Sequence, residues 1–186
     1  MVFPDQAPLW FEEGNSLAMS RDGRMMAWVG GTGSARGLWL RPVDQLDAHA
    51  LDGTEEATSP FFSPNGEWLG FFTPTALKKI RISGGTSQTF APVNGRPRGA
   101  AWGEDDSIVF ASLGAPLQRV LSAGDSAATI TQVSAAGERQ AGRSPAWVPG
   151  RQVVLREIRS NDSSVQGRSI AALDLASQSE TAARRS

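Results

Sequence analysis

Two stretches of similar sequence decide the fold: SLAMSRDGRMMAW at residues 16–28 and SPFFSPNGEWLGFF at residues 59–72. In each, a short segment runs into a polar turn that contains Gly, and a strongly apolar segment leaves the turn. Asp-Gly and Asn-Gly pairs accept the positive φ that tight hairpins require, so both stretches predict β-hairpins. When the two turns are aligned, Ser20 matches Ser63, a spacing of 43 residues.

Two further copies of this pattern follow along the chain. GAAWGEDDSIVFAS at residues 99–112 places Trp102 at the position of Phe62, 40 residues later. SPAWVPGRQVVLRE at residues 144–157 places Trp147 at the same position, another 45 residues on. Such spacings match the roughly 40–45 residues of a four-stranded propeller blade. The sequence therefore predicts an all-β fold, a β-propeller of about four antiparallel four-stranded blades.

The segments that leave the four turns read as strands packed on both faces, because they are short and rich in large apolar residues. After each hairpin, a second repeated element predicts a third strand and a turn: GLWLRPVD, ALKKIRISGG, PLQRVLSAGD and SIAALDLASQ. A weaker fourth strand is predicted near His49, Phe90 and Ile130, and only SETAARRS remains for the last unit. We expect a linker or entering strand over residues 1–15 and blades over approximately residues 16–58, 59–98, 99–143 and 144–186.

SRDGRMMAW, SPNGEWLGFF and LWLRPVD resemble the WD40-like repeats of TolB-type propellers, and the resemblance extends from residue 16 to about residue 179. The succession LWLRPVD, TEEATSPFFSPNGEWLGFF, LKKIRISGG is similar to the propeller that follows the kinase domain of bacterial membrane-anchored serine/threonine protein kinases. Propellers close with about 4–8 blades, and the resemblance implies more than four. The chain is then expected to be an incomplete part of a larger propeller, with open terminal blades available for self-association.

The Ser-Pro-Asp-Gly motif of the resembled family survives unevenly in the four turns. The first unit has Arg21 in place of Pro, the third has lost both Ser and Pro, and the fourth has no acidic residue. This drift argues against a metal site repeated at every turn. We assign a structural role in the turns to Ser20, Asp22, Gly23, Ser63, Asn65, Gly66, Asp105, Asp106, Pro149 and Gly150.

Phe62, Trp102 and Trp147 recur at one point of successive units. Recurrence at a fixed phase is typical of packing between repeats, and it favours a core role over a ring of ligand-stacking aromatics.

The residue types on which catalysis depends are scarce. His49 is the only His and Cys is absent, whereas a catalytic triad needs a positioned base and zinc sites need several ligands. His49 lies in a polar stretch that predicts an exposed edge. The Gly-rich segment 30–37 lacks the Lys of a phosphate-binding loop and precedes a strand, so it predicts a hairpin tip. Asp105 and Asp106 are too few for calcium. We predict no catalytic residue, no metal site and no cofactor.

Charge and hydropathy narrow the range of partners. With 18 Lys+Arg against 19 Asp+Glu, the net charge is −1, which argues against a nucleic-acid module and against attraction to a membrane surface. No run approaches the ~20 apolar residues of a membrane span, and residues 1–14 do not read as a signal peptide. We therefore expect no nucleic-acid partner, no direct membrane contact and no targeting signal in the chain.

The predicted function is a non-catalytic binding or sensing module with a protein or small-molecule ligand at one end of the propeller. The kinase resemblance implies that the module is the extracytoplasmic, periplasmic region of a serine/threonine kinase. Two alternatives stay open: a propeller that gates or positions substrate for a peptidase domain, and a TolB-like scaffold for protein–protein contacts. The ligand-binding residues are not identified by sequence.

Overall fold

The structure is a computed structural model that describes residues 3–5, 7–10, 15–33, 36–113, 115–124, 126–130, 145–148, 150, 153–159, 168–177 and 179–183. Within these ranges, the strands form four antiparallel sheets of four, and in each sheet the spatial order follows the chain order. This confirms the predicted all-β class and its four antiparallel four-stranded sheets. No helix in the described ranges is long and apolar enough to cross a membrane.

The chain divides into two compact units, Met1–Val93 and Asn94–Ser186. The first unit contains sheet 1, with β1 (Leu17–Met19), β2 (Met25–Gly30), β3 (Gly37–Pro42) and β4 (His49–Leu51). It also contains sheet 2, with β5 (Thr58–Phe62), β6 (Trp68–Phe72), β7 (Ala76–Arg81) and β8 (Gln88–Pro92).

The second unit contains the other two sheets. Sheet 3 has β9 (Pro97–Trp102), β10 (Ser107–Ser112), β11 (Gln118–Leu121) and β12 (Ala128–Thr129). Sheet 4 has β13 (Ala146–Trp147), β14 (Val153–Arg159), β15 (Arg168–Asp174) and β16 (Ser179–Ala183). In the last unit, Ser179–Ala183 is thus the fourth strand, which pairs with β15 and completes the sheet.

A core between sheets 1 and 2 holds the first unit together. Alternate residues of a strand face opposite sides of its sheet, and one side of β2 meets one side of β6. The buried members of this core are Ala27, Val29, Leu38, Leu40, Leu51, Ala57, Leu69, Phe71 and Ile80. At roughly 25 cal/mol per Å² of buried apolar surface, this core is a principal stabilising contribution in the first unit.

The opposite side of sheet 1 is covered by the N-terminal segment, of which residues 3–5 and 7–10 are described. Phe3 meets the Trp28 indole edge-on, with 5.3 Å between ring centroids, and the Trp28 Nε1–H donates to the Ala7 carbonyl at 3.0 Å. Leu9 forms an antiparallel bridge with Gly30. Met26 and Trp28 are fully buried as a result, on the side of β2 that faces away from sheet 2.

In the second unit, sheets 3 and 4 pack through a smaller core of Val109, Ala111, Leu117, Val154 and Leu173. Trp147 packs against this core, and its Nε1–H donates to the Ala101 carbonyl of β9 at 3.0 Å. The other side of sheet 4 differs from the two-sided burial predicted for its strands. Leu155 is 37% exposed and Ile170 is 57% exposed there, because no described residue of the second unit covers them.

Thr54 follows β4 and connects the end of this strand to β3 through hydrogen bonds of its side chain. Its buried hydroxyl donates to the Leu51 carbonyl at 2.5 Å and accepts the Leu38 backbone N–H at 2.9 Å. One side chain therefore satisfies two buried backbone groups at the link that leads into sheet 2.

We expect Thr54→Val to lower the free energy of unfolding by about 2–4 kcal/mol, because an isosteric apolar side chain leaves both backbone groups buried without this partner. Thr54→Ser keeps the hydroxyl and is expected to lose about 1 kcal/mol or less, the cost of one methyl group. Urea unfolding followed by tryptophan fluorescence measures both. Equal losses for Val and Ser would contradict this role of the hydroxyl.

Candidate functional site at the repeat turns

The first repeat turn, between β1 and β2, is built by three of the assigned residues. The Ser20 hydroxyl donates to the Asp22 carboxylate at 2.6 Å and accepts the Met25 N–H at 2.9 Å. The same carboxylate accepts the Arg24 N–H at 3.1 Å. Gly23 has φ +72°, a conformation that costs an L-residue about 1–2 kcal/mol. Side chains thus replace the ladder bonds that the turn interrupts.

The second turn repeats this geometry with Asn in place of Asp. The Ser63 hydroxyl donates to Asn65 Oδ1 at 2.7 Å and accepts the Trp68 N–H at 2.9 Å, and Asn65 Oδ1 also accepts the Glu67 N–H at 3.1 Å. Gly66 has φ +72°. The turn requires an acceptor oxygen at this position and not a charge, so Asn substitutes for Asp.

The third turn reaches the same result with different residues. Asp105 Oδ1 accepts both the N–H and the hydroxyl of Ser107, at 3.1 and 2.7 Å, so the hydroxyl comes from the far side of the turn. Asp106 occupies the position of the motif Gly, at φ +62°. Its carboxylate accepts the Trp102 Nε1–H at 3.0 Å, a contact that offsets part of the strain.

Trp147 explains why the motif Ser is missing from the third turn. Gly103 occupies that position, where a Cβ would lie 2.6 Å from Cε2 of the Trp147 indole, which comes from sheet 4, and 2.6 Å from Asp105 Oδ1. Any side chain at residue 103 therefore clashes with the ring. In the fourth turn Gly150 has φ +70°, whereas Pro149 lies outside the described residues.

Hydrogen bonding lowers the pKa of both turn carboxyls in this group. At Asp22, the Ser20 hydroxyl is the main cause of the lowered pKa, followed by the Arg24 N–H. At Asp105, partial burial acts to raise the pKa, but the hydrogen bonds from Ser107 and the Arg119 guanidinium together outweigh it and lower the pKa. The Arg119 Nη2 lies 2.6 Å from Asp105 Oδ2. These carboxylates are engaged in holding their own turns.

The other candidate residues lie apart from one another. His49 is exposed on β4, at the edge of sheet 1. Gly30 pairs with Gly37 across β2 and β3, so the Gly-rich segment is a hairpin tip, of which residues 34 and 35 lie outside the described residues. Within the described ranges, no group of three or more His, Cys, Asp or Glu residues is placed to hold a metal ion.

Two of the recurring aromatic residues pack between sheets. Phe62 lies against the core shared by sheets 1 and 2, and Trp147 lies against the core shared by sheets 3 and 4. Trp102 is 7% exposed and is held by Asp106. These contacts support the predicted core role.

A cluster of Trp68, Lys79 and Arg81 on sheet 2 was not among the residues predicted from the sequence. The Arg81 guanidinium lies 4.5 Å from the Trp68 ring centroid, and Lys79 Nζ lies 4.8 Å from it. The alternation in Lys79-Ile80-Arg81 was the available signal, because it places both cations on one face of β7. The strand register that brings them to Trp68 could not be read from one sequence.

Neither a protein-family model nor a curated protein matches the chain. Solved structures do. A putative TolB from Agrobacterium tumefaciens superposes with a TM-score of 0.71 at 18% identity, covering 90% of this chain and 64% of that one. TolB from Acinetobacter baumannii gives a TM-score of 0.71 at 15% identity, covering 90% and 42%. A chain of a nidogen/laminin complex gives 0.66 at 13% identity, covering 89% and 60%.

These likenesses establish the fold class: the four sheets are similar to the blades of β-propellers, TolB among them. The chain spans less than two thirds of the length of each of these three structures.

Restoring the motif Ser in the third turn by Gly103→Ser is expected to destabilise the protein by about 1–3 kcal/mol, because the side chain overpacks against Trp147. In a Trp147→Ala background the same change should cost much less, since the ring is gone. A double-mutant cycle in urea measures the difference. Additive effects of the two substitutions would refute the clash.

Acid sensitivity tests the role of Asp105. A lowered pKa in the folded state gives a stabilisation that is present above the unfolded value of 3.8 and is lost as the pH falls through the folded value. We expect Asp105→Asn to be about 0.5–1 kcal/mol less stable than the natural protein at pH 7. The difference should shrink towards pH 3. Asp47→Asn, on an exposed loop, controls for the loss of one negative charge. A difference independent of pH would contradict the assignment.

Proposed function

We propose that this chain is a non-catalytic module that binds a protein partner at one end of a propeller, at what we call the repeat-turn edge. In sheets 1–3 this edge joins the repeat turn to the turn that follows the third strand. Backbone hydrogen bonds fasten the two turns together: Val43 N–H to Arg24 O at 2.8 Å, Ile82 N–H to Glu67 O at 3.0 Å, and Ser122 N–H to Asp106 O at 2.9 Å.

The observation that carries the proposal is apolar exposure on this edge of sheet 1. Leu46 is 82% exposed and Val43 is 42% exposed, on a loop that is bonded directly to the first repeat turn. Exposed apolar side chains on a rigid support are typical anchors of protein interfaces, because little conformational entropy is lost when they are buried.

The fold likeness is consistent with this role. One of the similar chains comes from a nidogen/laminin complex and is therefore part of a protein assembly. A small-molecule ligand at the same edge is the alternative ligand class. It is less favoured because small-molecule sites are concave and bury their ligand, whereas Leu46 is 82% exposed.

The resemblance of LWLRPVD, the second hairpin and LKKIRISGG supports a finer proposal: the module is the extracytoplasmic sensor region of a bacterial serine/threonine protein kinase. A propeller that serves a peptidase and a TolB-like envelope scaffold are the alternatives. The gene sequence on both sides of this segment distinguishes them. A kinase domain and one apolar span upstream supports the sensor, and a hydrolase domain downstream supports the peptidase.

The open side of sheet 4 supports a further part of this proposal, namely that the chain is an incomplete propeller in which exposed Leu155 and Ile170 are covered by another blade or by self-association.

Site-specific photocrosslinking tests the binding edge. A photoreactive phenylalanine analogue at Leu46 is expected to crosslink a discrete protein in cells that express the full-length protein. The matched control is the same analogue at Leu113, which is 48% exposed on the hairpin end of sheet 3 that lies away from its repeat turn. Leu46→Glu should abolish retention of the crosslinked protein.

Failure of Leu46 to crosslink any protein, or equal crosslinking from Leu113, would overturn the proposed edge. Turnover of a substrate by the purified chain, if His49→Ala abolished it, would overturn the non-catalytic role.

A further inference from the structure

Two Asn-Gly pairs occur in the chain, Asn65-Gly66 and Asn94-Gly95. Asn is chemically labile when Gly follows it, because Gly has no Cβ to shield its backbone nitrogen from the neighbouring side-chain amide. That nitrogen attacks Cγ of the Asn side chain when the backbone and the side chain are free to bring the two atoms together. The reactivity of each pair therefore depends on the hydrogen bonds around it.

The pair in the second repeat turn is held against this reaction. Asn65 Oδ1 accepts the Ser63 hydroxyl at 2.7 Å and the Glu67 N–H at 3.1 Å, so the side chain cannot rotate away without breaking both bonds. The Gly66 N–H, whose proton must leave before the nitrogen attacks, donates to the Ser63 carbonyl at 3.0 Å. Reaction at this pair requires the turn to open first.

The second pair lacks these restraints. Asn94 and Gly95 lie between β8 and β9, and both are exposed. Neither the Asn94 side chain nor the Gly95 N–H forms a hydrogen bond with any described residue. Gly95 has φ +85°, and a Cβ built there would come no closer than 3.6 Å to atoms beyond its chain neighbours. The side-chain amide of Asn94 is therefore free to turn towards the Gly95 nitrogen.

We propose that Asn94 is a site of spontaneous deamidation. The Gly95 nitrogen gives its proton to water or hydroxide and attacks Asn94 Cγ. The new C–N bond closes a succinimide ring, the Cγ–Nδ2 bond breaks, and the amide nitrogen leaves as ammonia after taking up a proton. Water then opens the ring at either carbonyl, giving Asp or isoaspartate. The net change is the exchange of ammonia for water, without oxidation or reduction.

The modification falls on a short link whose two sides are each held within their own compact unit. On one side the Val93 N–H donates to the Thr75 carbonyl at 3.0 Å, and on the other the Leu113 N–H donates to the Arg96 carbonyl at 2.8 Å. An isoaspartyl residue adds a methylene group to the backbone between these hydrogen bonds. Both products also add a negative charge at neutral pH. The reaction needs no partner, so it is independent of the proposed binding edge.

Peptide mapping by mass spectrometry measures the reaction at both pairs in one sample. The folded protein is incubated in mildly alkaline buffer, and each Asn is followed by the mass gained when the amide NH₂ is replaced by OH. We expect Asn94 to react at least about tenfold faster than Asn65, because the hydrogen bonds of the turn add to the activation barrier at Asn65. In concentrated urea, which removes these hydrogen bonds, the two rates should become similar.

Two variants test the assignment and its structural cause. Asn94→Gln keeps an amide but lengthens the side chain, so it should abolish the product at this position. Ser63→Ala removes the hydroxyl that holds Asn65 and should raise the rate at Asn65, while an unchanged rate at Asn94 in the same sample shows that the fold is retained.

Equal rates at the two pairs in the folded protein, or no more product from the natural sequence than from Asn94→Gln, would overturn the proposal. A Ser63→Ala protein in which Asn65 reacts as slowly as before would overturn the protective role of the turn.

Discussion

Burial of the second strands of sheets 1 and 2 on both of their faces is the constraint on which the rest of the first unit depends. Five of the six residues of β2 and four of the five residues of β6 are buried. A single sheet with apolar residues on both sides exposes one of them to water, so it needs a neighbour on each side. Sheet 2 covers one side of β2, and the N-terminal segment covers the other.

The same constraint separates structural from functional residues. Polar side chains of the repeat turns form hydrogen bonds within their own turns. Each turn interrupts the hydrogen bonds between two strands, so its backbone groups need partners nearby. Side chains that extend beyond this network are free to serve binding. Leu46, which is 82% exposed, is of this kind.

Local chemistry accounts for what the sequence could predict. Ser20, Asp22 and Gly23 form hydrogen bonds with residues at most five positions away, so a single sequence is enough to predict this turn. The positions of the third strands can also be predicted from the sequence, because each third strand follows its hairpin at a regular distance. The class of fold and its four sheets follow from these two signals.

What could not be predicted depends on contacts distant in sequence. The loss of Ser at residue 103 looked like drift of the motif, yet it is imposed by Trp147 of the next sheet. The packing of Phe3, Ala7 and Leu9 against Trp28 could not be predicted, because this segment lies outside the repeat. The approach of Lys79 and Arg81 to Trp68 requires the register of β6 against β7, and a shift of one residue would place Arg81 on the opposite face.

The contact between Gly103 and Trp147 has a consequence for how such a chain can evolve. Propeller blades multiply by duplication, and identical copies are interchangeable at first. Once the indole of one blade packs into the turn of its neighbour, that turn must keep a Gly at the contact. The two blades then depend on each other's sequence. A copy of sheet 2 placed before sheet 4 would carry Ser63 into the path of the ring. Such an exchange would bring the same clash into the protein and lower its stability, so selection for stability favours keeping these two blades in their present order.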